Sequence, residues 1–102
     1  METPQDGTGD TIGDWESCAA DPQYRAAVLD LLGALAYGEL SAFERLAEDA
    51  KLAPTLEDKA ALAGMAAAEF SHYRQLHDRL LEVGADPTEA MQPFAEIGRA
   101  HV

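Results

Sequence analysis

Positive charge is scarce in this chain: 7 Lys and Arg stand against 19 Asp and Glu, a formal net charge of −12 over 102 residues. That balance repels phosphate backbones and anionic lipid surfaces, so neither nucleic acid nor an anionic membrane is expected as a direct partner of this surface. It suits solubility and the capture of cations. Cysteine is nearly missing. The single Cys18 can form no internal disulfide, and a reducing, cytoplasmic setting is the expectation. Asp14, Glu16 and Asp21 surround Cys18 with negative charge, which disfavours a thiolate and so a reactive role. The first six residues have no basic group and no apolar core, so no signal peptide is expected. Long apolar runs are also lacking. The longest, residues 26–36, is interrupted by Asp30 and is too short to span a bilayer, so no membrane partner is expected. At this length the chain makes one domain at most.

Two long helical patterns remain. Residues 1–20 are rich in Gly, Thr and Asp and contain no Lys or Arg, so they read as a disordered acidic tail in which Trp15 is the one aromatic side chain. Residues 21–96 read as a helical hairpin and connector. Asp21 and Pro22 form a start signal, an N-cap followed by proline at the first helical position. The helix should run to about Lys51. Thr55 caps a second helix, which should end at Val83 with Gly84 in the left-handed cap position. Asp86 and Pro87 begin a short third helix that Pro93 should end or kink. Gly33, Gly38 and Gly64 lie inside the long helices and, with the run of alanines around Ala66, are expected to make slim surfaces for close helix contact. The fold class is therefore all-α, an antiparallel long-helix hairpin plus a short third helix.

Each long helix carries a metal-ligand type of side chain inside its apolar stripe. Val28, Leu32, Leu35, Phe43 and Leu46 surround Glu39 at helical spacing, and Leu32 and Leu46 lie within roughly 20° of it on the wheel. Leu62, Met65, Leu76 and Leu80 fall within roughly 40° of Glu69, and His72 is one turn further on the same side. The midpoint of positions 39 and 69 is Pro54, in the break between the helices. Each site residue is then about 15 positions, or roughly 22 Å, from the turn, and the two meet at one level in an antiparallel pair. Two carboxylates and an imidazole are thus expected to converge in an apolar interior, where a carboxylate is costly unless neutralised, paired or bound to a metal. The competing readings are a buried Glu–His pair, or carboxylates paired with Arg74 or Arg79. Tyr73, near the same face, is either a hydrogen-bonding neighbour of a ligand or a core aromatic. His77 lies roughly 80° from Glu69 and is expected at an interface edge.

The arrangement resembles half of the ferritin-like carboxylate four-helix bundle, whose site takes a Glu from each of two helices and a Glu-x-x-His from each of the other two. The run LAYGELSAFERLA starting at Leu35, AAAEFSHY starting at Ala66 and GADP starting at Gly84 is similar to actinobacterial ferritin-like proteins related to the hydroxylase that modifies methylthio-isopentenyladenosine in tRNA. The resemblance implies Glu39 as a carboxylate ligand from the first helix, Glu69 as a bridging carboxylate and His72 as the imidazole ligand. It implies an iron cofactor, with manganese as the other candidate, dioxygen as co-substrate, and tRNA as a substrate whose binding would need basic surface from outside this acidic half. A complete site of this kind needs two more helices, from a second half of the chain or a second copy. The alternatives are a short ferritin-like ferroxidase or iron-storage subunit that dimerises, and a structural bundle without metal. Residues 97–102 are what ATC GGA AGA GCA CAC GTC encodes, the start of a widely used sequencing adapter. They are expected to be read-through, with the natural chain continuing beyond about Glu96 and His101 no ligand. An independent read of the gene with the same ending would refute this.

Overall fold

The computed structural model describes residues 15–17 and 19–100, with side chains through residue 97. Three helices account for most of them: α1 (Pro22–Leu52), α2 (Leu56–Glu82) and α3 (Pro87–Ala100). The start signals act as read. Asp21 Oδ1 accepts from the Gln23 amide at 3.0 Å, Thr55 Oγ1 from the Asp58 amide at 3.0 Å, and Asp86 Oδ1 from the Thr88 amide at 2.9 Å. Gly84 closes α2 at φ 83°, the left-handed region that glycine tolerates. The Gly84 amide donates to Leu81 O at 3.0 Å and the Ala85 amide to Leu80 O at 2.9 Å, the paired bonds of a Schellman motif.

Two cations finish the helix ends, and sequence reasoning missed both. Arg25, one turn into α1, donates to Val83 O at 2.8 Å and so caps α2. Lys59, early in α2, donates to Ala50 O at 2.8 Å and to Lys51 O at 3.2 Å and so caps α1. Each hydrogen bond satisfies a carbonyl that the helix leaves orphaned and places positive charge at the negative end of its dipole. Both tie one helix to the end of the other and fix the hairpin register. A cation at the start of each helix was the available signal.

α1 and α2 pack along their length, with Ala36, Ala50, Ala66 and Leu80 buried between or beside them. α3 is not a connector leading away. It folds back against α1 and touches α2 little. The seat is Gly33: a Cβ built there would collide with the Ala90 carbonyl, lying 2.8 Å from its carbon. The expectation of close packing holds for Gly33 but not for Gly38 and Gly64, which have nothing within 4 Å of a built Cβ. Pro93 does not end α3; the helix runs through it to Ala100 and passes residue 97 without a break. Proline removes its own amide bond and crowds the preceding turn, and α3, docked on α1, accommodates both.

The N-terminal expectation is altered at its inner edge. Residues 15–17 form a helical turn, and Trp15 lies 6.4 Å from Tyr24 by ring centroid, with the Arg25 guanidinium 6.0 Å over its ring. The rest of the expected tail, residues 1–14 and Cys18, lies outside the described residues, as do His101 and Val102.

The result is a single layer. The principal extents are 59 × 38 × 15 Å and the radius of gyration is 17.7 Å, against about 13 Å for a compact chain of about 100 residues. Large apolar side chains stay exposed, among them Leu31 at 59%, Leu35 at 47% and Met65 at 54%. α1 as a whole is also long and apolar enough, by length and composition alone, to cross a membrane: its best 18-residue window has a mean hydropathy of 1.4. The run 26–36 understated this, because the window tolerates the isolated carboxylates Asp30 and Glu39.

Candidate metal centre

Glu39 sits mid-way along α1 and Glu69 mid-way along α2, and the antiparallel register sets by the two caps brings them level. His72 follows Glu69 by three residues, so it shares that helix face. His72 Nδ1 lies 3.7 Å from Glu39 Oε1 and 3.6 Å from Glu69 Oε1. One ligand atom from each of the three residues falls within 4.8 Å of the others. Neither arginine pairing of the competing reading is what the structure holds: Arg79 binds Glu82 at 3.1 Å, and Arg74 makes no described ion pair.

The surroundings differ from the apolar interior expected. Glu39 and Glu69 have side chains 32% and 31% exposed, and His72 is 54% exposed. The reason is geometric. At about 100° per residue, Leu31, Leu35, Gly38 and Ala42 flank Glu39 on one side, while Leu32, Ala36 and Phe43 flank it on the other. In the second group Ala36 is buried and Leu32 and Phe43 are half-buried, Phe43 against Phe70 of α2, while Leu31, Leu35 and Gly38 of the first are exposed. α2 behaves alike: Ala66 and Leu80 are buried, while Ala61, Met65 and Ala68 face water. The ligand-type residues therefore stand at the boundary between a packed seam and an open apolar face.

Electrostatics reports the crowding. A hydrogen bond shared with the Glu69 carboxyl raises the Glu39 pKa above its ordinary 4.5. Partial burial and the Glu69 charge push the same way, and the charge and hydrogen bond of His72 oppose them. The crowding of the two carboxyls thus favours the protonated form of Glu39.

A ring stack braces the site from the seam side. Phe43 of α1 meets Phe70 of α2 at 5.4 Å, Phe70 meets Tyr73 at 5.4 Å, and Tyr73 meets His77 at 5.8 Å. Tyr73 is half-buried and its described contacts are with the Phe70 and His77 rings. His77 lies outside the cluster, with Nδ1 3.2 Å from Asp78 Oδ1.

The donor set fits a divalent cation. Metal–ligand bonds of about 2.0–2.2 Å place neighbouring donor atoms roughly 3 Å apart, so small rotamer changes would close the observed gaps around one ion. A cation would also remove the carboxylate repulsion.

Long antiparallel helices that bring a Glu and a Glu-x-x-His together place this chain in the ferritin-like class of helical proteins. A family model described as "Ferritin-like domain, actinomycetes" matches residues 22–99, which includes all three helices and the cluster, and the chain belongs to that family. No curated protein matches it.

Proposed function

We propose that this chain is one half of a ferritin-like di-iron protein, in which Glu39, Glu69 and His72 hold metal and the intact site activates dioxygen for a hydroxylation. The observation that supports it is the convergence of these three side chains, from two helices, to within 4.8 Å. Two hard carboxylates and one imidazole suit iron, with manganese next, better than they suit zinc. When bound, iron would supply the binding and activation of dioxygen. The chain's own contribution is positional. The Arg25 and Lys59 caps hold the register that brings Glu39 level with Glu69. The Phe43–Phe70 contact packs α1 against α2 beside the site. Glu39, its pKa raised by the neighbouring Glu69 carboxyl, must be deprotonated for metal to enter, so metal affinity rises with pH.

A modified nucleoside in tRNA is the substrate class that the sequence resemblance implies, and the acidity of this half weighs against it. RNA would then be held by surface other than this acidic half. A second reading, iron oxidation and storage by a short chain that dimerises, draws support from the openness of the site. By itself the fragment, with half a ligand set, is expected to be inactive.

Titration of Fe(II) without oxygen into the 102-residue chain tests the metal reading. Saturable binding is expected, lost in Glu69→Ala while helicity by circular dichroism stays unchanged. No binding by the wild-type chain, with Glu69→Ala equally well folded, would leave only the structural bundle.

A further inference from the structure

We propose that the end of the hairpin far from the Pro54 turn holds a binding site for a small planar aromatic carboxylate, independent of the metal cluster. A cavity of about 260 Å³ lies there, lined by Trp15 of the N-terminal turn and by Arg79, Glu82 and Val83 at the end of α2. Those three α2-end residues stand ten to fourteen positions beyond Glu69, roughly 15–21 Å along the helix, so the cavity is a separate place from the carboxylate–imidazole cluster. Its volume is just under the roughly 300 Å³ at which pockets for drug-sized molecules begin, which suits a ligand of one or two rings.

The cavity is built from two segments of the chain and is braced. Trp15 is half-buried, with its ring 6.4 Å from that of Tyr24 and the Arg25 guanidinium 6.0 Å from its centroid. Arg25 also donates to Val83 O at 2.8 Å, so one cation ties the indole to the end of α2. Val83 is 8% exposed and adds apolar surface beside the ring. An indole held in place offers a flat face for stacking at little cost in side-chain freedom.

Charge selects the ligand. The chain has only seven Lys and Arg, yet two of them, Arg25 and Arg79, bear on this one cavity. The Arg25 bond to Val83 O uses one of the five N–H donors of its guanidinium. Arg79 holds Glu82 at 3.1 Å, but their side chains are 44% and 65% exposed, and a surface pair of this kind is worth little and exchanges partners readily. An entering carboxylate takes the planar Arg79 fork in bidentate geometry while Glu82 turns to water. The ring of the same molecule then lies against Trp15 and Val83. An aromatic cation would meet two guanidinium groups instead.

Nuclear magnetic resonance titration of the full metal-free chain tests this, because Trp15 is the one tryptophan and its indole N–H signal is unambiguous. The probes are indole-3-acetate and tryptamine, which share a ring and differ in charge. Indole-3-acetate should shift the Trp15 indole and the Val83 amide saturably and leave the Glu69 and His72 amides unmoved. Tryptamine should bind at least about tenfold more weakly, although the net charge of −12 favours a cation in general. Arg79→Gln should keep circular dichroism and weaken indole-3-acetate at least about tenfold, the loss expected for one charged hydrogen-bond partner. No saturable Trp15 shift with indole-3-acetate overturns the proposal. Tryptamine binding as tightly as indole-3-acetate, or affinity indifferent to Arg79→Gln, overturns it equally. None of these outcomes bears on whether Glu39, Glu69 and His72 hold metal.

Discussion

The three helix-interior glycines make an internally controlled experiment. Glycine inside a helix costs up to about 1 kcal/mol relative to alanine, so Gly→Ala should stabilise wherever the methyl group has room. Gly38 and Gly64 have that room, with nothing within 4 Å of a built Cβ. Gly33 does not. Its Cβ would lie 2.8 Å from the Ala90 carbonyl carbon and 3.2 Å from the Ala90 Cβ, and the obstacle is backbone, which cannot rotate away. Relief requires α3 to lift off α1, at an overpacking cost of about 1–3 kcal/mol that offsets or exceeds the propensity gain. In urea denaturation of the metal-free chain, Gly38→Ala and Gly64→Ala should each gain up to about 1 kcal/mol, a rise of about 4–8 °C in Tm. Gly33→Ala should instead lose stability, and α3 amides should lose hydrogen-exchange protection while those of α2 keep theirs. Equal stabilisation by all three substitutions would refute the docking of α3 at Gly33.

Other consequences are as direct. Because Glu39 titrates above its ordinary 4.5, the folded metal-free chain binds more protons than the unfolded one across that window. Its contribution to stability is present below pH 4.5 and is lost as pH rises through the folded-state pKa. Glu39→Gln should flatten this dependence in urea titrations from pH 4 upward, and an unchanged slope would remove the raised Glu39 pKa from the account. Arg25→Met should cost about 1–3 kcal/mol by leaving the Val83 carbonyl without its charged donor, and should shift Trp15 fluorescence by removing the guanidinium over its ring. If stability falls while the Trp15 spectrum stays fixed, the cap is real and the ring contact is not.

Local signals carried most of the fold. Caps at Asp21, Thr55 and Asp86 and the glycine at 84 act over two to four residues, so they are readable without tertiary context. The level pairing of positions 39 and 69 followed from counting along equal rises, and needs only a tight turn at Pro54. What failed were statements about neighbours. Gly33, Gly38 and Gly64 look alike in sequence, yet only the first meets a helix, because which side α3 takes is set by the short link through Ala85 and not by α1. Pro93 reads as a stop where α1 instead supports it. Arg25 and Lys59 were passed over because a cation near a helix start serves its own helix poorly, and its use at the end of the other helix appears only once the hairpin closes.

The misreading of the site's surroundings has the most chemical weight. A wheel shows that Glu39 lies within the apolar half of α1, but an apolar half can be wider than one neighbour covers. α1 is apolar towards α2, towards α3 and towards the open face, which is why its hydropathy alone would let it cross a membrane. A helix apolar on so many sides is either surrounded by protein or set in lipid. Glu39 separates the two: a carboxylate at the centre of a bilayer-spanning helix costs about 2.5–3.5 kcal/mol unpaired, and here it is already committed to a second carboxylate and an imidazole on α2. On the metal reading proposed above, the polar cluster and the uncovered leucines share one remedy, a second layer of helices that would bury the apolar face and complete the ligand set in one step.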